Sequence, residues 1–308
     1  MPPLKFTYLR YENLWSLFRC WVFVGGVVVW VCPWKMVEAR CGGVFVWSVK
    51  THKFSTRPRT ADTSILSREN LLTLTRLIED ARIDHHCPPS LGLFTSVTVT
   101  MLYLEENIRQ QVLATLFEVS QPTISRAITC ILNVLDTILP SPPTPKDLDV
   151  HRFYVLDGTL VECWGWKNHQ KLYSGKHKKT GFNLQILTDQ AGEIYYISNP
   201  LPGSTHDINA LRQTNLLDHI PPDHITADKG YIGSGCDVPF RRQPHTELHD
   251  WQQRFNKNIQ RIRYVVERAI AHLKTWKILA TPNRLPLTKA IQTITIIRKI
   301  IFYEPPPE

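Results

Sequence analysis

Paired cysteines are the first thing this 308-residue chain lacks. Its seven cysteines (Cys20, Cys32, Cys41, Cys87, Cys130, Cys163 and Cys236) are scattered, odd in number and without a C-x-x-C pair. That excludes a zinc ribbon and a disulfide-stapled scaffold, and it suits a reducing setting. The twelve histidines include His85-His86, but none stands at a metal-ligand spacing. A run long enough to span a bilayer is also wanting. Cys20 to Trp34 carries no charge, yet it falls short of the roughly 20 apolar residues a spanning helix needs. Lys5, Arg10 and Arg19 before it imitate a signal peptide, but no small-residue cleavage site follows. Acidic charge is scarce as well. Lys and Arg number 36 against 27 Asp and Glu, a formal charge of +9, which favours polyanions, nucleic acid before an anionic membrane.

The Gly25-Gly26 pair and the valines around it favour a strand over a helix. Two readings stay open for this stretch: a β-rich element on the core, or sequence translated upstream of the true start. Residues 1–60 are therefore set apart as an N-terminal appendage, and only beyond Asp62 does a helical pattern begin.

Residues 61–139 read as helical. Ser67 is placed to cap a helix whose face carries Leu71, Leu74, Leu77 and Ile78, and an apolar segment from Leu91 to Leu104 follows. Ile108, Val112, Leu113 and Leu116 then mark a short helix, broken near Ser120. A second resumes with Pro122 in its first turn and an apolar face of Ile124, Ile128, Ile131 and Leu135. Two short helices around a tight turn predict a helix-turn-helix, with Gln121, Thr123, Ser125 and Arg126 offered to DNA. A plain helical hairpin has the same pattern. Pro140, Pro142, Pro143 and Pro145 stop the helix, so 140–150 is read as a stiff linker between domains.

Beyond the linker, in 151–303, the period changes to that of strands. Phe153 to Leu156 is an apolar strand expected to end on Asp157, and Gly181 to Ser198 forms a hairpin beside it. A helix starts near Ser204 to Asp207, and a second short strand, His224 to Ala227, ends on Asp228. A long helix over about Trp251 to Leu279 shows an apolar stripe of Phe255, Ile259, Ile262, Val266, Ala269 and Leu273. Glu267 lies one residue off that stripe, with Arg263 and Lys274 on its own face. Three carboxylates thus recur, Asp228 following Asp157 by 71 residues (228 − 157) and Glu267 following Asp228 by 39 (267 − 228). Carboxylates converging from neighbouring strands suit a hard divalent cation, Mg²⁺ or Mn²⁺, and phosphoryl transfer. Lys176, Lys178 and Lys179, within the basic stretch from Lys167, are read as phosphate contacts. Trp164 and Trp166 are expected in the core, with stacking on an unpaired base as the other possibility.

VLDGT at 155–159, PGSTHD at 202–207, TADKGY at 226–231 and RIRYVVERAIAHLKTWKIL at 261–279, taken together, resemble the DDE transposases of bacterial insertion sequences related to the Harbinger type. The resemblance runs from about Ser64 to Phe302 and includes the Arg-x3-Glu-x6-Lys signature as Arg263, Glu267 and Lys274. It implies an α/β fold, an RNase H-like mixed sheet flanked by helices and preceded by an all-α helix-turn-helix region. It implies Asp157, Asp228 and Glu267 as catalytic metal ligands and Asp207 as a further acidic ligand. The implied partners are double-stranded DNA, both element ends and target, and further copies of the chain on it, with no small-molecule cofactor and no membrane. The implied location is the cytoplasm, at the bacterial nucleoid. One position departs from the family pattern: Gln260 stands where a tyrosine is usual, three residues before Arg263.

Each acid also has an ordinary role available. Asp157 and Asp228 precede Gly158 and Lys229-Gly230 as turn residues do, Asp207 is placed to cap a helix, and Glu267 to pair with Arg263. A transposase-derived DNA-binding protein without catalysis, an RNase H-like nuclease that only hydrolyses, and, from residues 20–34 alone, a membrane-associated protein are the competing classes.

Overall fold

The computed structural model describes residues 65–164, 169–282 and 284–303, and the backbone of two short N-terminal strands. The chain divides into two compact units, 1–50 and 51–308. In the first, β1 (Trp21–Val24) and β2 (Val27–Trp30) pair antiparallel with Trp21 opposite Trp30. The valine-rich run is therefore extended, as β-branched side chains favour. Gly25-Gly26 and the rest of the first 60 residues lie outside the described residues.

The second unit opens with four helices: α1 (Arg68–Asp80), α2 (Gly92–Glu106), α3 (Gln110–Leu116) and α4 (Gln121–Ile138). Ser67 caps α1 as expected, its hydroxyl accepting the Asn70 N–H at 3.1 Å. α3 ends in a left-handed residue, Glu118 (φ +53°); the Val119 N–H reaches the Ala114 carbonyl at 3.0 Å and the Glu118 N–H that of Thr115 at 3.4 Å. That double closure turns the chain sharply into α4 and leaves the two helices joined as a helix-turn-helix. Ile124, Ile128, Ile131 and Leu135 are all buried. Leu116 is not on the buried face of α3: it is 45% exposed, and Ala114 takes its place, because the turn begins one residue later.

The sheet is mixed. β3 (Tyr154–Glu162) lies antiparallel to β5 (Lys179–Thr188) and parallel to β8 (Ile225–Thr226). Along its other edge β5 meets β6 (Ile194–Ile197), β7 (Leu201–Pro202) and β4 (Tyr173–Ser174) in turn. Helices α5 (Asp207–Thr214), α6 (Asp250–Leu273), α7 (Lys277–Ala280) and α8 (Leu287–Ile301) complete the chain, α5 against β5 and α6 and α7 against β3. This is the α/β arrangement expected, a mixed sheet flanked by helices after an all-helical region.

Alternation along β3 assigns its side chains to two cores. Tyr154 and Leu156 join Leu211, Leu216 and Ile225 under α5. Val155 and Val161 join Val266 and Leu273 of α6 and, through α7 and α8, the helical region. Ile294 of α8 and Leu135 of α4 lie in that same cluster, so apolar packing runs unbroken across the proline-rich stretch. Ile294→Ala or Leu135→Ala should therefore cost about 2–5 kcal/mol. Thermal melts followed by far-UV circular dichroism should show one transition shifted as a whole; separate transitions for the two halves would contradict the shared core.

Candidate active site

The two-residue parallel pairing of β3 with β8 decides where the acids go. Tyr154 faces Ile225 and Val155 faces Thr226, so Asp157 and Asp228 each lie two residues beyond the last paired position. Two residues on, each side chain returns to the face of Val155, the face covered by α6. The strand does not end on Asp157, contrary to the sequence expectation: β3 continues to Glu162 because β5 pairs with it throughout. What ends there is the parallel partner, which leaves the Asp157 carboxylate at an open edge.

Arg263 of α6 reaches into that edge. One guanidinium nitrogen lies 3.0 Å from Asp157 Oδ2 and 3.8 Å from Glu267 Oε1, and the other lies 3.4 Å from Asp228 Oδ1. The arginine and Asp157 side chains are only 15% and 14% exposed, whereas Glu267 is 55% exposed. Both aspartates are also tied by the next backbone N–H, Gly158 to Asp157 Oδ1 at 2.8 Å and Lys229 to Asp228 Oδ1 at 2.6 Å. Burial pushes the Asp157 carboxyl above the usual aspartate range, despite the opposing Arg263 charge.

Asp207 approaches from the opposite face. A Cβ at Gly158 would stand 3.0 Å from its Oδ1, and one at Gly230 would stand 2.6 Å from its Oδ2, so two glycines make room for this carboxylate. Asp207 begins α5, but it does not cap it: Lys176 Nζ donates to its Oδ2 at 2.7 Å. Burial would lower the Lys176 ammonium, but the Asp207 hydrogen bond and the charges of Asp207, Asp157 and Asp228 outweigh it and raise the pKa. Beneath lies a buried polar chain that sequence reasoning missed. Tyr231 Oη donates to Gln185 Oε1 at 2.6 Å, Gln185 Nε2 to Asn183 Oδ1 at 3.0 Å, and Asn183 Nδ2 to the Thr205 carbonyl at 3.1 Å. Burial, with Asp207 and Asp157 nearby, pushes the Tyr231 phenol well above its ordinary value, so it stays a donor. Gly230→Ala should displace Asp207, and Tyr231→Phe should leave Gln185 Oε1 unpaired at about 1–3 kcal/mol. Thermal melts check both; melting points equal to wild type would contradict the packing.

Other expected contacts sit differently. α6 ends at Leu273, earlier than the expected 279, because buried Trp276 pulls the chain into the core and Thr275 Oγ1 takes the His272 carbonyl at 2.8 Å. Lys274 is thereby the C-cap, half-buried, its ammonium lowered by burial with Glu162 opposing, rather than a helix-face partner of Glu267. Lys179 Nζ is 2.6 Å from Glu162, and Lys178 is exposed in the preceding turn. In the helix-turn-helix, Thr123 is buried and its hydroxyl engages Ser120 at 2.9 Å. Gln121 Nε2 donates to Gln110 at 2.6 Å, Ser125 is half-buried and Arg126 is exposed. Trp164 is 62% exposed, with the Arg284 guanidinium 5.5 Å from its ring centroid, so its expected place in the core is not what the fold provides. Lys167 and Trp166 lie outside the described residues.

The donors at the edge are hard carboxylate oxygens, which suit Mg²⁺ or Mn²⁺. Among the described residues no three Asp, Glu, His or Cys side chains close into a metal cage as they stand. The guanidinium lies between the acids, offsetting the charge that a cation would offset. Also among the described residues, no helix is long and apolar enough to cross a membrane.

Comparison with known proteins agrees with this architecture. Residues 89–141 match the family described as helix-turn-helix of DDE superfamily endonuclease, and residues 156–302 match DDE superfamily endonuclease itself. A protein of Streptomyces albus G, named as a transposase for the insertion sequence element IS112, is 29% identical over 194 residues, covering 62% of this chain and 73% of its own. No solved structure matches. Across residues 89–141 and 156–302, the chain belongs to the DDE superfamily endonucleases and carries their helix-turn-helix.

Proposed function

We propose that the chain is a transposase that binds the ends of its element, cuts there, and joins the freed 3′-hydroxyl to target DNA. The observation that carries this reading is the sharing of one guanidinium by Asp157, Asp228 and Glu267 at the open edge of the sheet. A divalent cation held by these carboxylates, with Asp207 as a fourth acid, would activate the attacking hydroxyl and stabilise the leaving oxygen. The protein's part is then positional. The Gly158 and Lys229 amides fix the two aspartates, and Arg263, once released from them, is placed to meet a phosphate oxygen as a fork of donors. Lys176 holds Asp207 and brings positive charge to the same edge. Gln121, Ser125 and Arg126 are proposed to meet the end sequence, with Lys178, Lys179 and Lys274 on phosphates, while Thr123 secures the helix start. The likeness to the IS112 protein favours transposition over simple hydrolysis. The test is a duplex carrying the element's terminal repeats, incubated with Mg²⁺ and a supercoiled target plasmid. Transposition yields repeat ends covalently joined to the plasmid. Nicked repeats with no joined product would leave a nuclease, and repeat binding without nicking would leave a DNA-binding protein.

A further inference from the structure

We propose that the solvent face of α6 is a track for the phosphate backbone of double-stranded DNA, separate from the helix-turn-helix and indifferent to base sequence. Arg254, Lys257, Arg261 and Arg268 are all exposed on this helix. At roughly 100° per residue they fall within an arc of about 60°, on the side away from Ile259, Val266, Ala269 and Leu273. Tyr264 lies at the border of this arc, 59% exposed, with the Arg268 guanidinium 5.4 Å from its ring centroid. Asp250, in the first turn of α6, falls on the same side, but no acid interrupts the arc between Arg254 and Arg268, and among the described residues none of the four cations forms an ion pair.

Like charges three and four residues apart, Arg254 with Lys257 and Lys257 with Arg261, repel one another along the helix. A purely structural surface would interleave acids there, as the other face does with Arg263 and Glu267. A polyanion removes the repulsion. The stripe is extended by Arg241, exposed in the loop before α6. That loop is pinned to the helix: the Phe240 ring packs on Trp251 and Phe255, with centroids 5.0 and 5.2 Å apart, and its backbone exchanges two hydrogen bonds with Asn256 at 2.7 and 3.0 Å.

Arg254 to Arg268 covers about 21 Å of helix, along which a duplex presents on the order of a dozen phosphates, enough to occupy all four cations. Double-stranded DNA is the occupant because the chain carries an endonuclease domain and a helix-turn-helix that act on it. Because Arg263 and Glu267 belong to this same helix, a duplex on the stripe would be held rigidly relative to the carboxylate edge. The inference rests on the chain acting on DNA, but not on its joining DNA ends.

The experiment measures binding of the full chain to a random-sequence duplex without element ends, by fluorescence anisotropy across a salt series. The variant Arg254→Gln/Lys257→Gln/Arg261→Gln/Arg268→Gln keeps good helix formers on an exposed face, so it should fold. The slope of log affinity against log salt should fall by about 0.9 for each lost phosphate contact, roughly 3 to 4 in all. Exchanging Arg for Lys and Lys for Arg at the four positions should restore the slope. An unchanged slope overturns the proposal, as does a loss confined to binding of anionic phospholipid vesicles. If the slope falls as expected while the wild-type chain fails to cut element ends, the track stands and the transposase reading falls.

Discussion

Asp157→Ala should lower Mg²⁺-dependent cleavage of end-containing DNA by at least about 10³-fold, roughly 4 kcal/mol of barrier. The size follows from its position. Asp157 is the most buried of the three acids around Arg263, oriented by the Gly158 amide and lying where β8 stops pairing with β3. Its backbone is held by β5, which pairs with β3 on both sides of this position in the sequence, while the side chain stands at the edge that β8 leaves open. Asp228→Ala and Glu267→Ala should behave alike. Asp207→Asn should cost less, on the order of tenfold, because Asp207 stands on the other face and already holds Lys176. Single-turnover cleavage at saturating DNA measures all four. Asp157→Ala with wild-type cleavage would remove the carboxylate edge from the chemistry.

Arg263→Gln should act on the metal-free protein first. Its guanidinium is the common partner of three acids, and without it the largely buried Asp157 faces Asp228 uncompensated. Breaking such a pair in a fully buried setting costs about 3–5 kcal/mol; with Asp228 and Glu267 partly in solvent, about 2–4 kcal/mol is expected. In a unit of this size that lowers the melting temperature by roughly 5–15 °C. Millimolar Mg²⁺ should then recover more stability in the variant than in wild type, since the cation no longer competes with an arginine for the same oxygens. Paired melts with and without Mg²⁺ read this directly. Equal Mg²⁺ shifts in both proteins would show that arginine and cation do not share the site. Cleavage should still fall in the variant, which loses the fork of donors proposed for the phosphate.

The contrast between these two residues also shows what the sequence could reveal. Asp157 and Glu267 were legible because each sits on a periodic element whose phase can be counted, and Asp228 because it follows directly on a short apolar strand. The reach of Arg263 to all three acids was not, since it depends on how α6 crosses the sheet, a long-range packing choice absent from local pattern. Asn183 and Gln185 alternate along β5 with the apolar Phe182, Leu184 and Ile186, yet they are buried too, because α5 packs against β5, and nothing in that alternation says that both faces are covered. The early end of α6 turned on one residue, Trp276, whose preference for the core outweighed a continuing helical pattern. Trp164 failed in the other direction: a large aromatic was expected inside, but it stands two residues past the end of β3, exposed, with the Arg284 guanidinium over its ring.

The carboxylates gathered around Arg263 are proposed to form the cation site of the endonuclease. Titration of Mn²⁺ into the full chain, followed by the loss of the free-ion paramagnetic resonance signal, tests it without any assay of activity. Wild type should bind Mn²⁺, and Asp157→Asn, Asp228→Asn and Glu267→Gln should each weaken that binding at least ~10-fold, since even changes to residues that only support metal ligands commonly cost that much. Equal Mn²⁺ affinity in wild type and all three variants would contradict the account.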